Sequence, residues 1–130
     1  MKNMDPYECI RRILQDIEKR RDVDYGDKNS VRRYNAAMDR IMKNADYYCN
    51  NYPEQMDMFC QYLDHPEYDI AATFTSALHH MHGATRTQKQ IAIQSAKRLI
   101  NHPCADDIAR FAWSVNIQRW EEELEEEHTS

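Results

Sequence analysis

The chain has 130 residues, of which 42% are hydrophobic and 30% are charged, and its net charge is −5. This length allows one domain with a buried core and excludes two. The acidic balance disfavours nucleic acid as a partner, because Lys and Arg are the residues that bind phosphate backbones. Only two glycines occur, Gly26 and Gly83. Because a β protein needs more turn residues than this, a helical domain is predicted.

The cysteines and the N-terminal residues allow a prediction of the cellular compartment. The four cysteines show no CxxC or close Cys/His pairing, so neither a disulfide framework nor a zinc knuckle is predicted; they are Cys9, Cys49, Cys60 and Cys104. We expect reduced, mostly buried thiols. The N-terminus carries charges where a signal peptide needs an apolar stretch, and no apolar run approaches the roughly 20 residues of a membrane span. The cytoplasm, with no membrane partner, is therefore the expected location.

The first helix is predicted to begin after Asp5, which can cap it, with Pro6 in the first turn and Glu8 three residues after the cap. The basic triplet at residues 19–21 is interpreted as complementing the negative end of this helix rather than binding nucleic acid. One apolar stripe at helical spacing is predicted to face inward: Tyr7, Ile10, Ile13, Leu14 and Ile17.

A second helix is predicted from about Ser30 to Asn50. Its inward residues are Val31, Tyr34, Met38, Ile41, Met42, Ala45 and Cys49. Tyr47 points away from this stripe and is predicted to be exposed. Pro53 then begins a short third helix. The inward residues of that helix are Met56, Phe59, Cys60 and Leu63.

Two similar segments each contain a His-Pro pair. LDHPEYDIA includes His65-Pro66 and INHPCADDIA includes His102-Pro103, 37 residues later. This is the spacing of a helical repeat. The residue before each proline is excluded from the helical region, so each pair predicts a corner, after which Pro66 can open the fourth helix. A histidine that recurs at repeat spacing is interpreted as bonding local backbone rather than as catalytic.

The fourth and fifth helices follow the first corner. Gly83 is predicted to stop the fourth helix in a left-handed conformation. Thr85 or Thr87 caps the fifth, because each stands three residues before a glutamine. The inward residues of the fourth helix are Ile70, Ala71, Phe74, Ala77, Leu78 and Met81. Those of the fifth are Ile91, Ala92, Ser95, Ala96, Leu99 and Ile100.

The sixth helix, from about Ala105 to Glu126, carries two apolar stripes displaced by roughly 150°. One stripe is Ile108, Phe111, Ala112 and Val115; the other is Trp113, Ile117, Trp120 and Leu124. In one interpretation both stripes pack against helices four and five. In the alternative, Trp113 and Trp120 belong to an exposed partner or dimer patch, because Trp anchors interfaces. The acidic run at residues 121–127 is expected to fray, because anions are unfavourable at a helix C-terminus.

The predicted helices pair one with two, three with four, and five with six. Because no hairpin can bury its stripe alone, stacking the three makes one continuous core. The predicted fold is therefore all-α: a short right-handed α-solenoid of HEAT or armadillo type, with three hairpins and six helices. It forms one domain over residues 1–130, with residues 1–4 and 121–130 frayed. A plain helical bundle is the main alternative.

A family resemblance covers residues from about Val31 to Trp120. Its motifs are Asn35-x-x-Met38-Asp39-Arg40-Ile41, the group Phe59, Cys60 and Leu63, then Leu63-Asp64-His65-Pro66, Ala71-Ala72 and Arg119-Trp120. In these the chain resembles a small bacterial family catalogued as domain of unknown function 2019, a compact HEAT-like module. Tyr68-Asp69-Ile70 stands where a Val-Arg pair is usual. The resemblance implies no catalytic residues and a protein-binding module, of a kind often encoded beside bacterial toxins as immunity proteins.

No pattern in the sequence indicates an enzyme. His79 and His82 share a helix face, as two metal ligands could, but no third ligand has the right spacing and zinc needs three or four. A Gly-rich phosphate loop, GxSxG and a catalytic Cys/His signature are also missing from the sequence. We therefore expect no catalytic residue, no cofactor and no metal, and a metal-dependent enzyme is the least favoured alternative.

The favoured function is a non-catalytic protein-interaction module. Its partner is another protein, and a basic toxin would suit the acidic surface by charge steering. The residues assigned to partner binding are Trp113, Ile117, Trp120, Tyr47 and Arg40. The alternative is a nucleic-acid-associated HEAT-like protein. It would use a basic strip on the second helix, formed by Arg32, Arg33, Arg40 and Lys43. The sequence leaves the oligomeric state open.

Overall fold

A computed structural model describes residues 4–129, and the side chains of residues 4–127. All of its regular elements in this range are helical, so the all-α prediction with six helices is confirmed. They are α1 (Pro6–Arg20), α2 (Lys28–Asn51), α3 (Met56–Cys60), α4 (Tyr68–His80), α5 (Arg86–Leu99) and α6 (Asp107–Thr129). Short 3-10 turns at Pro53–Gln55 and Gln61–Asp64 extend α3 at both ends.

Helix α1 begins where its capping residues predict. The Asp5 carboxylate accepts a hydrogen bond of 2.8 Å from the backbone N–H of Glu8. The stripe from Ile10 to Ile17 is largely buried, but Tyr7 is 72% exposed and Cys9 is buried in its place. The inward prediction for Tyr7 is therefore wrong, because contact with α2 turns the buried arc of α1 toward Cys9.

Helix α2 begins two residues earlier than predicted, with Asp27 as its cap. Its most buried large side chain is Tyr48, which the apolar stripe omits. The Tyr48 hydroxyl donates a 2.5 Å hydrogen bond to the carbonyl of Gln55 at the start of the α3 segment. A tyrosine can be buried when its hydroxyl has such a partner. Tyr47 is half-buried rather than exposed, which corrects its predicted position.

The two His-Pro corners share one side-chain-to-backbone hydrogen bond. The backbone N–H of Glu67 donates a 3.0 Å bond to Nδ1 of His65, and that of Cys104 donates a 3.1 Å bond to Nδ1 of His102. The predicted local hydrogen bond is confirmed at both corners. Pro66 does not open α4, however, because Glu67 is extended and the helix begins at Tyr68.

The core contains two clusters of buried side chains, and α4 contributes to both. The first cluster joins α1, α2, the segment of α3 with its flanking turns, α4 and Ala92 of α5. Its largest fully buried members are Ile13, Ile17, Ile41, Tyr48, Phe59, Phe74 and Leu78. The second joins α4, α5 and α6, and consists of Ala71, Ile93, Ala96, Leu99, Trp113, Ile117, Trp120 and Leu124. Helix α4 packs against α1, α2 and α5, while α5 packs against α6. Helix α4 is thus the layer that connects the N-terminal hairpin to the C-terminal one.

The α4–α5 connection shows which of two predicted caps is used. Thr85 forms a complete capping box with Gln88, so it rather than Thr87 begins α5. Gly83 has a left-handed φ of 84°, as predicted, although α4 already ends at His80. All six residues predicted inward on α4 and its end are buried, whereas on α5 Ile93 is buried and Ile91 is exposed.

The acidic end of α6 is helical through Thr129. The expected fraying of residues 121–130 stays a prediction, and residue 130 lies outside the described part. Helix α5 supplies cations along this run. Lys97 lies 3.8 Å from Glu121, and Lys89 lies 2.9 Å from Glu127. Arg86 also donates a 2.6 Å bond to the carbonyl of Leu124. These contacts offset the unfavourable interaction of carboxylates with the helix end. Of the expected frayed N-terminus, residues 1–3 lie outside the described part.

Candidate functional site

The two stripes of α6 have opposite environments. Trp113, Ile117, Trp120 and Leu124 are all less than a tenth exposed, and Trp120 is 1% exposed. The prediction that Trp113, Ile117 and Trp120 form an exposed partner patch is therefore wrong. These side chains fill the second core cluster, where small α4 and α5 residues such as Ala71 and Ala96 leave room for indole rings.

The two tryptophans also make specific contacts within the chain. The indole N–H of Trp113 donates a 2.6 Å hydrogen bond to the hydroxyl of Tyr68, at the start of α4. The ring of Trp120 stacks on His79, near the end of α4, with centroids 4.1 Å apart. The two indoles thus anchor α6 to both ends of α4.

The other stripe of α6, which we call the outer face, is exposed. Ile108 is 81% exposed, Phe111 72% and Val115 44%, and Ala112 is also exposed. Their i, i+3, i+4, i+7 spacing puts them on one side of the helix, opposite the tryptophans. The interpretation that both stripes pack within the chain is therefore wrong as well. Exposed apolar residues arranged contiguously mark contact sites more often than scattered ones do.

Tyr47 and Arg40, the other residues assigned to partner binding, lie away from α6. The Tyr47 hydroxyl accepts a 3.1 Å hydrogen bond from the backbone N–H of Met4. Arg40 donates two hydrogen bonds, of 3.0 and 2.8 Å, to Oδ1 of Asp16 on α1. The five assigned residues consequently do not form one surface.

A basic groove runs between α1 and α2, and we call it the α1–α2 groove. Its volume is about 440 Å³ and its lining is Arg11, Arg12, Gln15, Asp16, Lys19, Arg40, Lys43 and Asn44. Reasoning from the sequence located only the α2 side of it, Arg40 and Lys43. The α1 side is not evident in the sequence, because acidic residues alternate there with the basic ones. Its signal is the four-residue spacing of Arg11, Gln15 and Lys19, which places them on one helix face.

A larger groove of about 560 Å³ lies between α5 and α6. Ile91, Ile93 and Leu124 provide its apolar surface, and Arg86, Lys97 and Glu121 stand among its charged lining residues. Two of these, Arg86 and Lys97, already contact α6. These two charged residues therefore help to hold α5 against α6.

The histidines near the end of α4 are separated by their environments. His79 is buried, and burial together with the neighbouring His80 lowers its pKa to about 4. His82 is exposed and its Nδ1 lies 3.1 Å from Asp46. Within residues 4–127, no group of three or more His, Cys, Asp or Glu side chains is arranged to hold a metal ion.

Comparison of the chain with protein-family models, curated proteins and solved structures finds no significant match. Among the described residues, none of the helices combines the length and apolar character needed to span a membrane. The basis for a functional proposal is therefore the burial, contacts and charges of the chain's own residues.

Proposed function

We propose that this protein is a non-catalytic protein-interaction module and that the outer face of α6 contacts its partner. The observation that carries the proposal is the exposure of Ile108, Phe111 and Val115 on one face of the last helix. Burying a side chain of this size contributes about 1.5–3 kcal/mol. A partner that covered all three would therefore gain a substantial part of a specific binding energy.

The proposal includes a HEAT-like α-solenoid architecture. Its support is the repetition of one corner, with the same side-chain-to-backbone hydrogen bond at His65 and His102. A solenoid ends in a helix whose outer face is normally polar, because no further repeat covers it. The outer face of α6 is apolar over its first half. Contact with another protein explains why apolar side chains stand at this terminal position.

Charge favours a particular kind of partner. Residues 121–127 of α6 contain six glutamates, and the outer face runs directly toward them along the helix. A partner with an apolar pocket beside basic residues complements this arrangement and is steered to it electrostatically. The sequence also resembles a HEAT-like family of unknown function, of a kind often encoded beside bacterial toxins, so a basic toxin is the first partner to test.

The test is direct binding to the proteins encoded by neighbouring genes, measured by titration calorimetry and by rescue of growth on co-expression. Phe111→Glu places a charge in the centre of the outer face and should weaken binding at least tenfold. Asn35→Glu adds the same charge to an exposed site on α2, outside the outer face of α6, and should bind like the wild type. Equal binding by both variants, with helical content unchanged, would refute the proposed surface.

A further inference from the structure

The charges of this acidic protein are unevenly distributed along the chain. Residues 1–51 carry 11 of the 17 Lys and Arg residues and 9 of the 22 Asp and Glu residues, so their net charge is +2. Residues 52–130 carry the other 6 cations and 13 carboxylates, which gives −7. The cations are therefore concentrated on the hairpin of α1 and α2, far from the acidic run of α6 in sequence.

Within that hairpin, five cations line the α1–α2 groove. Three come from α1 (Arg11, Arg12 and Lys19) and two from α2 (Arg40 and Lys43). Asp16 is the single carboxylate among the lining residues. Arg11 and Lys19 are eight residues apart on one helix, which corresponds to about 12 Å. The groove thus presents positive charge over a length of two helical turns.

Buried and half-buried carboxylates hold the guanidinium groups in place. The Asp16 side chain is 6% exposed, and its Oδ1 accepts from both Nε and Nη2 of Arg40, so Nη1 of Arg40 stays available. Glu8 accepts from Nε and Nη2 of Arg11 and from Nε of Arg12. Each arginine keeps N–H groups for another acceptor. Guanidinium groups that are already ordered lose less entropy when they bind an anion.

The lysines of the groove differ from its arginines in that no carboxylate of the described residues holds them. Within the described residues, neither Lys19 nor Lys43 takes part in an ion pair or a side-chain hydrogen bond. Against five cations stand the carboxylates of Asp16 and Glu8, which leaves a local charge of +3. An unbalanced positive groove of this kind attracts anions by electrostatic focusing.

We propose that the α1–α2 groove is a binding site for a short, multiply charged phosphate chain, of the di- or triphosphate class. Phosphate oxygens are bound in proteins by the forked guanidinium group of arginine and by the compact ammonium group of lysine. The groove has room for such a group and offers cations along its length. This site is independent of the proposed protein-binding function, because no residue of α6 lines it.

Two observations favour a short anion over a nucleic-acid strand. No aromatic side chain lines the groove, so stacking platforms for bases are missing from it. The remainder of the chain also carries a net charge of −7, which repels a long strand of many phosphates more than a short anion.

The test is titration calorimetry of the full chain with inorganic tripolyphosphate at low ionic strength. The double variant Lys19→Gln/Lys43→Gln should bind at least tenfold more weakly than the wild type. The matched control Arg98→Gln/Arg110→Gln removes the same charge from exposed sites outside the groove and should bind like the wild type. Orthophosphate should bind more weakly than tripolyphosphate, and added salt should weaken both.

Three results would overturn the proposal. They are the absence of tripolyphosphate binding to the wild type, an equal loss of affinity in the groove and control variants, and tighter binding of a single-stranded oligodeoxynucleotide than of tripolyphosphate. The last result would assign the groove to nucleic acid. None of these outcomes depends on the outer face of α6, so Phe111→Glu should bind tripolyphosphate normally.

Discussion

The imidazole of His79 and the indole of Trp120 stack with ring centroids 4.1 Å apart and ring planes 14° from parallel. Both rings are buried, and His80 packs edge-on against each of them. Neither ring nitrogen of His79 nor Nε1 of Trp120 has a hydrogen-bond partner among the described residues. Helices α4 and α6 are therefore held together here by ring contact, and Nε2 of His79 lies 3.9 Å from a carboxylate oxygen of Glu123 on α6.

The burial of His79 in this stack predicts that the free energy of unfolding decreases at acidic pH. Burial lowers the pKa of His79 from 6.5 to about 4, with further lowering by His80, Lys89 and Arg119. Between pH 6.5 and 4, His79 is protonated in the unfolded chain but neutral in the folded chain. The free energy of unfolding therefore decreases over this range and levels off below pH 4. The loss is on the order of 2–3 kcal/mol.

The measurement is urea unfolding at pH 7 and pH 4.5 for the wild type and His79→Phe. The phenyl ring keeps the stack and cannot be protonated, so the variant should lose less stability than the wild type over this range. Carboxylates titrate in both proteins and cancel in the difference. An identical pH dependence for the two proteins would show that His79 is not the group responsible.

Trp120 should be a major contributor to stability. Trp120→Ala removes a side chain that is 1% exposed, and losses of about 3–5 kcal/mol follow from such a cavity. Phe111→Ala removes an aromatic ring from the outer face of the same helix and should change the free energy of unfolding by less than about 0.5 kcal/mol. Similar losses for the two variants would contradict the observed orientation of α6.

The corner histidines should contribute equally. His65→Ala and His102→Ala each remove an Nδ1 atom that accepts a hydrogen bond from a backbone N–H, which should cost about 0.5–1.5 kcal/mol in thermal or urea unfolding. Asparagine can accept a bond from the backbone two residues on, so His65→Asn should recover part of the loss. If the bond is unimportant, the Ala and Asn variants will have the same stability.

The ion pair between the buried Asp16 and the half-exposed Arg40 should contribute to the free energy of unfolding. Arg40→Gln leaves the buried carboxylate of Asp16 without its partner and should destabilise the protein by about 1–2 kcal/mol, since Arg40 is half exposed and water screens the pair. Lys43→Gln, one turn away and unpaired, is the control and should be neutral within about 0.5 kcal/mol. Equal stabilities in urea unfolding would mean that water replaces the arginine without cost.

Local features of this protein follow from its sequence because their causes lie within a few residues. The Asp5 cap and the Thr85–Gln88 capping box join residues three apart, and the corner histidines bond the backbone two residues on. The all-α fold follows from helical spacing and the scarcity of glycine. No distant contact is needed to form any of these features, although the sequence left Thr85 and Thr87 as alternative caps of α5.

Other features depend on how distant segments meet. A helical wheel shows that α6 has two apolar stripes, but it contains no information on which stripe turns toward α4 and α5. Tertiary packing places Trp113 and Trp120 inward and leaves Phe111 outside. The α1–α2 groove likewise forms only when the hairpin closes and brings Lys19 near Lys43. Local sequence specifies the six helices, the Asp5 cap and the hydrogen bond at each corner. The surfaces that remain for binding follow from packing, because burial depends on contacts between residues far apart in the chain.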